Sequence, residues 1–561
     1  MAPYFDFHFH PLFKQLLVEF DDAKRQDDRW ARPIRLPLLG KLVDALAGRI
    51  LESQASVDQA RAGNVQVGVA NLIAIEFVLA SDQGKLALLD SHRITPLDER
   101  FFEFVREGQG SYDDLVGKEL SFYEWAAQHF GQQVKLLSRK TSRAVDAGKL
   151  NLVLALEGGH GLSRRRIDEV SGPGDPAARV REYRAHPTRD LFYLTLTHFS
   201  HIREQQLCSH AYAFKLVKQL GQTRPQMAGL RQLGKDVVRA CLDVAAQQFP
   251  ILIDVKHMSL QARLEFYAYR RVLLAGEVAG FVAPAAGIPI LASHVGVTGF
   301  PLAELKGRLT EFGVEDALVP CVRMRTQRQE AGQLNDQESV WFNSWTLNLL
   351  DEDIAEIARS GGLLGLSLDA RILGFEGAAK RLLNQLDQFA PDYMSPADFA
   401  ALFPDLARRL PRLPPPPDEA ADGRELAAAE LGEELFGTSR REREIMLFCL
   451  NVLHVVAVIN ATPAADGQPL DGWTFVCVGS DYDGLIDSVK ACAQADNLPA
   501  FERELLRAFP RAERAYRAAR PGQAPVLTAG GAAFDEQAFG SGPLRQLLYD
   551  NGANFLARWW G

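Results

Sequence analysis

The hydrophobic pattern of the chain alternates between short apolar runs and longer amphipathic segments. Eight short runs predict β-strands, at residues 5–10, 67–76, 152–157, 193–198, 251–257, 289–294, 363–368 and 475–481. Segments with helical spacing lie between them, such as residues 261–276 after the fifth run and residues 351–362 before the seventh. Eight strands that alternate with helices predict an α/β fold with a parallel sheet closed into a (β/α)8 TIM barrel.

The chain is longer than a barrel requires. A barrel needs about 250 residues, whereas the chain has 561, so roughly half of it must lie in insertions. We predict a single barrel over residues 1–561, with a mostly helical insertion at 77–150 after strand two. A second insertion at 371–474, after strand seven, contains a proline run at 414–417 and then an acidic, alanine-rich stretch, which are typical of an exposed linker.

Composition narrows the class of protein. The net charge of −9 and the absence of clustered basic residues argue against a nucleic-acid partner. Six scattered cysteines without a CxxC pair exclude a zinc ribbon and a disulfide scaffold, and they suit a reducing compartment. No signal-like segment and no apolar run of about 20 residues is present, so we expect a cytoplasmic protein without a membrane partner. A homodimer remains open.

Polar residues gather at the ends of the predicted strands. His8 and His10, two positions apart, should project from one face of strand one, with Phe7 and Phe9 on the other. An HxH pair alone is compatible with two hydrogen-bonded histidines in a strand. However, the carboxyl ends of barrel strands converge on one face, where active sites lie. The converging residues are His8, His10, Glu157, His198, His257, His294 and Asp481.

These residue types fit a centre with two divalent metal ions. Such a centre needs several nitrogen and oxygen ligands, one bridging carboxylate and room for a water molecule. Glu157 is followed by two glycines, which allow the backbone to approach a metal or substrate closely. Asp481 lies in the sequence "GSDYDG" and could accept a proton from the water.

The segments "ALEGGH", "YLTLTH", "LIDVKHMS", "PILASHVG" and "VGSDYDG" occur in this order. Together they resemble the membrane (renal) dipeptidase family, peptidase family M19 of the amidohydrolase superfamily. The segment "LYDNGANFLARWW" is similar to the closing helix of that family. The resemblance runs from residue 4 to about residue 558, and the two insertions interrupt it.

The resemblance implies two zinc ions and hydrolysis of a dipeptide or related amide by a metal-activated water. Its implied metal ligands are His8 and His10 for the first ion, Glu157 as the bridge, and His257 and His294 for the second ion. His198 would contact the substrate and polarise the developing oxyanion. Asp481 would carry the proton from water to the leaving amine.

Two departures from the family pattern concern the site. The family has aspartate at the position of His10, so the site here carries one negative charge less. The family arginine that binds the substrate carboxylate lies after strand six, where this chain has Leu347. Arg371, just past strand seven and close to Asp369, could bind the carboxylate instead. A simple Asp–Arg surface pair is an equal alternative for these two residues.

Two further functions remain open from sequence. One is another amidohydrolase activity, on a lactone, a phosphoester or a D-aminoacyl compound, because one barrel supports many chemistries. The other is a non-catalytic barrel that presents its insertions to a partner protein. The complete set of ligand residues favours an enzyme with a small, dipeptide-like substrate.

Overall fold

The eight predicted strands form a parallel sheet. The computed structural model describes residues 2–20, 28–37, 40–41, 51–81, 97–167, 174–213, 223–245, 248–315, 319–335, 338–374, 391–414, 440–464, 467–528 and 533–560. Its strands, in chain order, are β1 (Tyr4–Phe9), β2 (Val65–Ile73), β3 (Val134–Leu136), β4 (Leu150–Glu157), β5 (Tyr193–Thr195), β6 (Leu252–Asp254), β7 (Ile290–Val295), β8 (Leu309–Glu315), β9 (Cys321–Thr326), β10 (Glu330–Asn335), β11 (Glu338–Trp341), β12 (Leu363–Leu366), β13 (Asp392–Met394), β14 (Arg412–Leu413) and β15 (Val476–Val478). The parallel order is β1-β2-β4-β5-β6-β7-β12-β15, and β3 pairs with the start of β4.

The sheet closes on itself between its last and first strands. Phe9 at the end of β1 pairs in parallel with Tyr482, just beyond β15. The Asp481 N–H donates to the His8 carbonyl and the His10 N–H donates to the Tyr482 carbonyl, both at 2.9 Å. The (β/α)8 barrel predicted from the sequence is therefore confirmed.

Helices surround the strands. In chain order they are α1 (Phe13–Val18), α2 (Val57–Ala62), α3 (Phe77–Ala80), α4 (Glu99–Arg106), α5 (Tyr112–His129), α6 (Pro176–Ala185), α7 (Gln232–Leu242), α8 (Leu260–Leu274), α9 (Leu302–Arg308), α10 (Asp351–Arg359), α11 (Ala370–Leu373), α12 (Pro396–Leu402), α13 (Pro404–Ala407), α14 (Arg440–Asn460), α15 (Leu498–Ala518), α16 (Glu536–Ser541), α17 (Pro543–Arg545) and α18 (Asn551–Trp560). Among the described residues, none of these helices is long and apolar enough to cross a membrane.

A separate apolar cluster fills the barrel interior. It combines inward residues of the strands with Phe555, Trp559 and Trp560 of α18, which packs against the same core. Phe7 belongs to this interior cluster, with its ring 5.7 Å from that of Tyr193. The prediction that Phe7 lies opposite the histidines is wrong, because the pairing of β1 with β2 shifts register between Asp6 and Phe9.

The insertions leave the barrel at more places than the sequence predicted. The segment between β2 and β4 carries α3, α4 and α5, and the segment between β12 and β15 carries α11 to α14 with β13 and β14. A further excursion follows β7 and carries β8 to β11. Strands of the last two excursions share one sheet, in the order β13-β9-β8-β14. Most of the predicted proline-rich linker, residues 415–439, lies outside the described residues.

Candidate metal centre and active site

The polar side chains predicted at the strand ends meet in one buried cluster. Three overlapping groups of ligand atoms each lie within 4.8 Å of one another: His8, His10 and Asp481; His8, Glu157 and His294; and Glu157, His198 and His257. His198 and His257 come three residues after the last paired residues of β5 and β6, so both lie where the chain turns over the barrel mouth. The structure thus brings all seven predicted residues together.

The two histidines of β1 are held by hydrogen bonds on the side away from the cluster. The Tyr193 hydroxyl donates to the Phe7 carbonyl at 3.0 Å, so it accepts at 2.9 Å from Nδ1–H of His8. Nδ1–H of His10 donates to the carbonyl of Asn71 at 3.0 Å. Because both Nδ1 atoms carry a proton, each neutral imidazole presents the lone pair of Nε2 to the cluster. These two Nε2 atoms are 3.2 Å apart.

The other two predicted histidine ligands form a second pair. Nε2 of His257 lies 3.2 Å from Nε2 of His294. The Ser293 hydroxyl donates to Asp254 at 2.7 Å, so it accepts at 2.8 Å from Nδ1–H of His294. The Nδ1 atom of His257 has no partner among the described residues. His257 also has a φ of +65°, a left-handed conformation that costs a histidine free energy.

Glu157 lies between the two histidine pairs. Its Oε2 is 3.2 Å from Nε2 of His10 and 3.6 Å from Nε2 of His8. Its Oε1 is 3.1 Å from Nε2 of His257 and 3.5 Å from Nε2 of His294. One carboxylate therefore serves both pairs, one oxygen to each, and it is almost completely buried.

The spacing of these atoms fits metal ions. Nitrogen ligands about 2.0–2.1 Å from a tetrahedral zinc ion are separated from one another by about 3.3 Å. The observed separation is 3.2 Å within each histidine pair. In the first pair the two Nε2 atoms face each other, an arrangement that either a proton shared between them or a metal ion satisfies. The donor set of imidazole nitrogens and one shared carboxylate thus suits two divalent ions.

The charges around Glu157 shift the pKa values of the whole cluster. Burial raises the pKa of Glu157, but His8, His198 and the hydrogen bonds from its neighbours outweigh burial and hold it well below its usual range. Burial lowers the pKa of His10, but the hydrogen bonds to Asp481 and Glu157 raise it to about 10. Burial, together with neighbouring positive groups, holds the pKa values of His257 and His294 well below the ordinary value.

The Asp481 carboxylate faces both histidine pairs of the cluster. Its Oδ1 lies 3.7 Å from Nε2 of His10, and its Oδ2 lies 3.9 Å from Nε2 of His294. A φ of +62° turns this residue inward at the strand end. A Cβ at Gly484 would lie 2.2 Å from Oδ1 of Asp481, so this glycine leaves the space for the carboxylate. Burial raises the pKa of Asp481 above its ordinary value, which suits a group that accepts a proton.

His198 is oriented by a buried carboxylate that the sequence analysis did not assign. Oε1 of Glu76 accepts at 2.6 Å from Nδ1–H of His198, so Nε2 points inward, 3.9 Å from Oε1 of Glu157. Burial lowers the pKa of His198, but Glu76 and Glu157 raise it above the ordinary value. The sequence predicts that strand two ends at Glu76. Because the carboxyl ends of barrel strands meet at the active site, this position indicates that Glu76 lies close to it.

The proposed substrate-binding Arg371 is already paired. Asp369 caps the start of α11 and accepts from Arg371 at 2.5–3.1 Å through both Nε and Nη2. The arginine side chain is 30% exposed, so the pair lies at the rim of the mouth. Leu347, at the position of the family arginine, is buried among apolar side chains with Ala211, Trp345 and Ile372.

A buried lysine also belongs to this site. Lys256 precedes His257 and is 2% exposed. Burial lowers its pKa to about 8, against the opposing effects of Asp481 and Glu157. The sequence offered no signal for it, because alternation along the predicted strand at 251–257 places Lys256 on the face opposite His257.

Comparison with known proteins identifies distant structural neighbours. No family model and no curated protein matches the chain. A metallopeptidase from Rhodobacter sphaeroides, liganded with a phosphinate mimic of the dipeptide L-Ala-D-Ala, is 13% identical with a TM-score of 0.45, over 100% of this chain and 99% of that one. The probable dipeptidase PvdM from Pseudomonas aeruginosa is 15% identical with a TM-score of 0.43, over 93% and 98% of the two chains. Dipeptidase AC, a metallopeptidase of family M19, is 12% identical with a TM-score of 0.46, over 100% and 99%.

Proposed function

We propose that this protein is a metal-dependent hydrolase that cleaves the amide bond of a dipeptide or a closely related small amide. The proposed ligands are His8 and His10 for one divalent ion, His257 and His294 for a second, and Glu157 for both. Zinc is the expected metal, because four imidazoles and one carboxylate form a typical zinc donor set. The sequence resemblance to M19 dipeptidases supports the choice of substrate.

One observation carries the proposal. The two oxygens of the buried Glu157 each face a different pair of histidine Nε2 atoms, at 3.1–3.6 Å. A structural ion pair would need only one such partner, so four inward Nε2 atoms around a single carboxylate favour metal binding. When bound, two divalent ions would polarise the substrate carbonyl and make water a stronger nucleophile at neutral pH.

Asp481 is the proposed proton carrier. Its two oxygens face both halves of the cluster, so it can reach a water molecule between them. During hydrolysis the water oxygen bonds to the carbonyl carbon, and Asp481 takes the water proton. It then gives that proton to the amide nitrogen as the carbon–nitrogen bond breaks, which releases a neutral amine.

His198 is the proposed oxyanion partner. The Glu76 carboxylate fixes its orientation and raises its pKa, which favours an imidazolium. An imidazolium next to the carbonyl oxygen stabilises the negative charge that develops there in the tetrahedral transition state. The buried position strengthens this interaction, because water does not screen it.

The test combines metal analysis with a substrate screen. Full-length protein purified without chelator should contain about two zinc ions per chain by elemental analysis. It should hydrolyse dipeptides such as L-Ala-L-Ala or L-Ala-D-Ala, and the variant Asp481→Asn should retain the metal while losing turnover. A metal content near zero after zinc supplementation would contradict the proposal. Two bound ions with activity only on lactones or phosphoesters would retain the hydrolase but replace its substrate.

A further inference from the structure

Lys256 faces the interior of the barrel mouth. Along β6 and beyond it, Ile253 and Val255 pack in the outer core, whereas Leu252 belongs to the interior cluster. Asp254, on the inward side, accepts hydrogen bonds from Thr195 and Ser293 of the two neighbouring strands, both at 2.7 Å. Two residues further along, past the end of β6, the Lys256 N–H donates to Oδ1 of Asp254 at 3.1 Å, so Lys256 lies where the chain turns over the mouth, next to the proposed metal ligand His257.

The ammonium of Lys256 has no partner of its own. Its residue is 2% exposed, and among the described residues its side chain makes no hydrogen bond and no ion pair. An ammonium group has three donors, and in Lys256 these donors are available at an Nζ atom that is not itself fully buried. A buried lysine of this kind is explained if an anionic ligand completes the site.

The surroundings of the ammonium place it beside the proposed proton carrier. The carboxylates that act on it electrostatically belong to Asp481, Glu157, Asp254 and Asp369, and Asp481 has the largest effect. Glu157 and Asp481 face the histidine cluster, Asp254 is hydrogen-bonded to Thr195 and Ser293, and Asp369 is paired with Arg371. Within the part of the chain that the structure describes, Lys256 is therefore a cation of the mouth that forms no ion pair with a carboxylate of the protein.

We propose that Lys256 binds the free carboxylate of the substrate, next to the amine that leaves. This inference rests on the proposed function. In a dipeptide, the terminal carboxylate is attached to the carbon that bears the leaving nitrogen. Asp481 protonates that nitrogen in the proposed mechanism. A cation beside Asp481 is therefore close to the position of the substrate carboxylate. The substrate class is accordingly a small amide with a free carboxylate on its leaving group.

The experiment compares acid and amide forms of one substrate. The probes are L-Ala-L-Ala, L-Ala-D-Ala and their C-terminal amides, assayed with wild type, Lys256→Met and Lys256→Arg. Wild type should prefer the acids. Lys256→Met should reduce kcat/KM for the acids on the order of 10- to 100-fold, as expected for a lost charge-assisted hydrogen bond, and hardly change it for the amides. Lys256→Arg should restore part of the preference, and all three proteins should retain equal metal.

A binding measurement separates this inference from the proposed function. Calorimetry with the zinc-loaded proteins should show that alanine binds wild type more tightly than alaninamide does, and that Lys256→Met removes the difference. Equal losses on acids and amides would overturn the inference, because Lys256 would then act only on the metal centre or on Asp481. If no dipeptide is cleaved but alanine binding still depends on Lys256, the proposed dipeptide substrate fails and the carboxylate site stands.

Discussion

The cluster has two halves: a first half with His8 and His10, and a second half with His257 and His294. They differ in how firmly their histidines are held. In the first half, Tyr193 and the carbonyl of Asn71 fix the Nδ1 atoms of His8 and His10. In the second half, Ser293 fixes His294, but Nδ1 of His257 has no partner among the described residues, and its backbone is in a left-handed conformation. Outer hydrogen bonds of this kind orient metal ligands and raise their basicity.

The halves also differ in charge. The pKa of His10 is raised to about 10, whereas the pKa values of His257 and His294 are held well below the ordinary value. In the metal-free protein, the first half therefore holds a positive charge between its two imidazoles, and the second half is neutral. A metal ion must displace that proton from the first half, but both imidazoles of this half are oriented by outer hydrogen bonds, and on that ground we expect it to bind a metal ion more tightly than the second half does.

The largest expected effect comes from the residue that the halves share. Glu157→Gln replaces one carboxylate oxygen by an amide NH2, which cannot bind a metal, and removes the negative charge that faces both histidine pairs. We expect both ions to be lost and hydrolysis to fall below detection, as measured by elemental analysis and a dipeptide assay. Retention of one ion at full occupancy would show that the halves are independent and that Glu157 does not bridge them.

The next effect separates catalysis from metal binding. Asp481→Asn keeps the size of the side chain but cannot accept a proton, so kcat should fall by about 10²–10⁴-fold, with little change in KM. Both ions should remain, because Asp481 lies farther from the histidine nitrogens than Glu157 does. Loss of an ion in this variant would make Asp481 a ligand and leave His198 as the first alternative for the proton transfer.

Two substitutions of residues that accept hydrogen bonds from the ligand histidines test the difference between the halves directly. Tyr193→Phe keeps the ring but removes the acceptor for Nδ1–H of His8, and Ser293→Ala removes the acceptor for His294. Each substitution should lower the affinity for one ion by about 10–100-fold, which chelator competition can measure. Tyr193→Phe should affect the tighter ion, and Ser293→Ala the weaker one. If both variants weaken the same ion, the division into halves is incorrect.

The barrel could be predicted because its strands are short, buried and separated by helices. Each predicted run corresponds to an observed strand, although the runs at 193–198 and 251–257 extend past the paired residues Tyr193–Thr195 and Leu252–Asp254. Hydrophobicity does not show where pairing stops, because the residues beyond those strands remain buried. The sheet of β8 and β9 was missed, since its strands alternate charged and apolar residues outside the barrel pattern.

The chemistry at the strand ends was predictable for a different reason. A barrel brings the ends of its strands together whatever their distance in sequence, so His8 and Asp481 could be placed in one site. The partners that orient these residues could not be found in this way. Glu76 and Tyr193 depend on side-chain directions at single positions, and the register shift in β1 shows that strict alternation fails there.

A buried glutamate lies behind the first half of the cluster, on α5. Oε2 of Glu119 accepts from the Ile73 N–H at 2.8 Å, while its Oε1 has no partner among the described residues. Burial raises the pKa of Glu119 from 4.5 to about 8. Because the folded-state pKa exceeds the unfolded-state value, the folded protein binds more protons between these two pH values. The contribution of Glu119 to stability is thus greatest below pH 4.5 and is lost as the pH rises towards 8.

The smallest effect on the site should come from Glu119→Gln, which tests whether this charge matters to the first half. The amide retains an acceptor for Ile73 N–H and does not ionise. The variant should therefore gain stability relative to wild type as the pH rises above 4.5, by up to about 1.4 kcal/mol per pH unit. Urea unfolding of the metal-free proteins at pH 5, 6 and 7 measures this, with the exposed Glu103→Gln as the control. A constant difference across these pH values would mean that Glu119 is ionised in the folded protein. In that case its negative charge, close to His10, would contribute to the cation preference of the first half, and Glu119→Gln would also weaken the tighter ion.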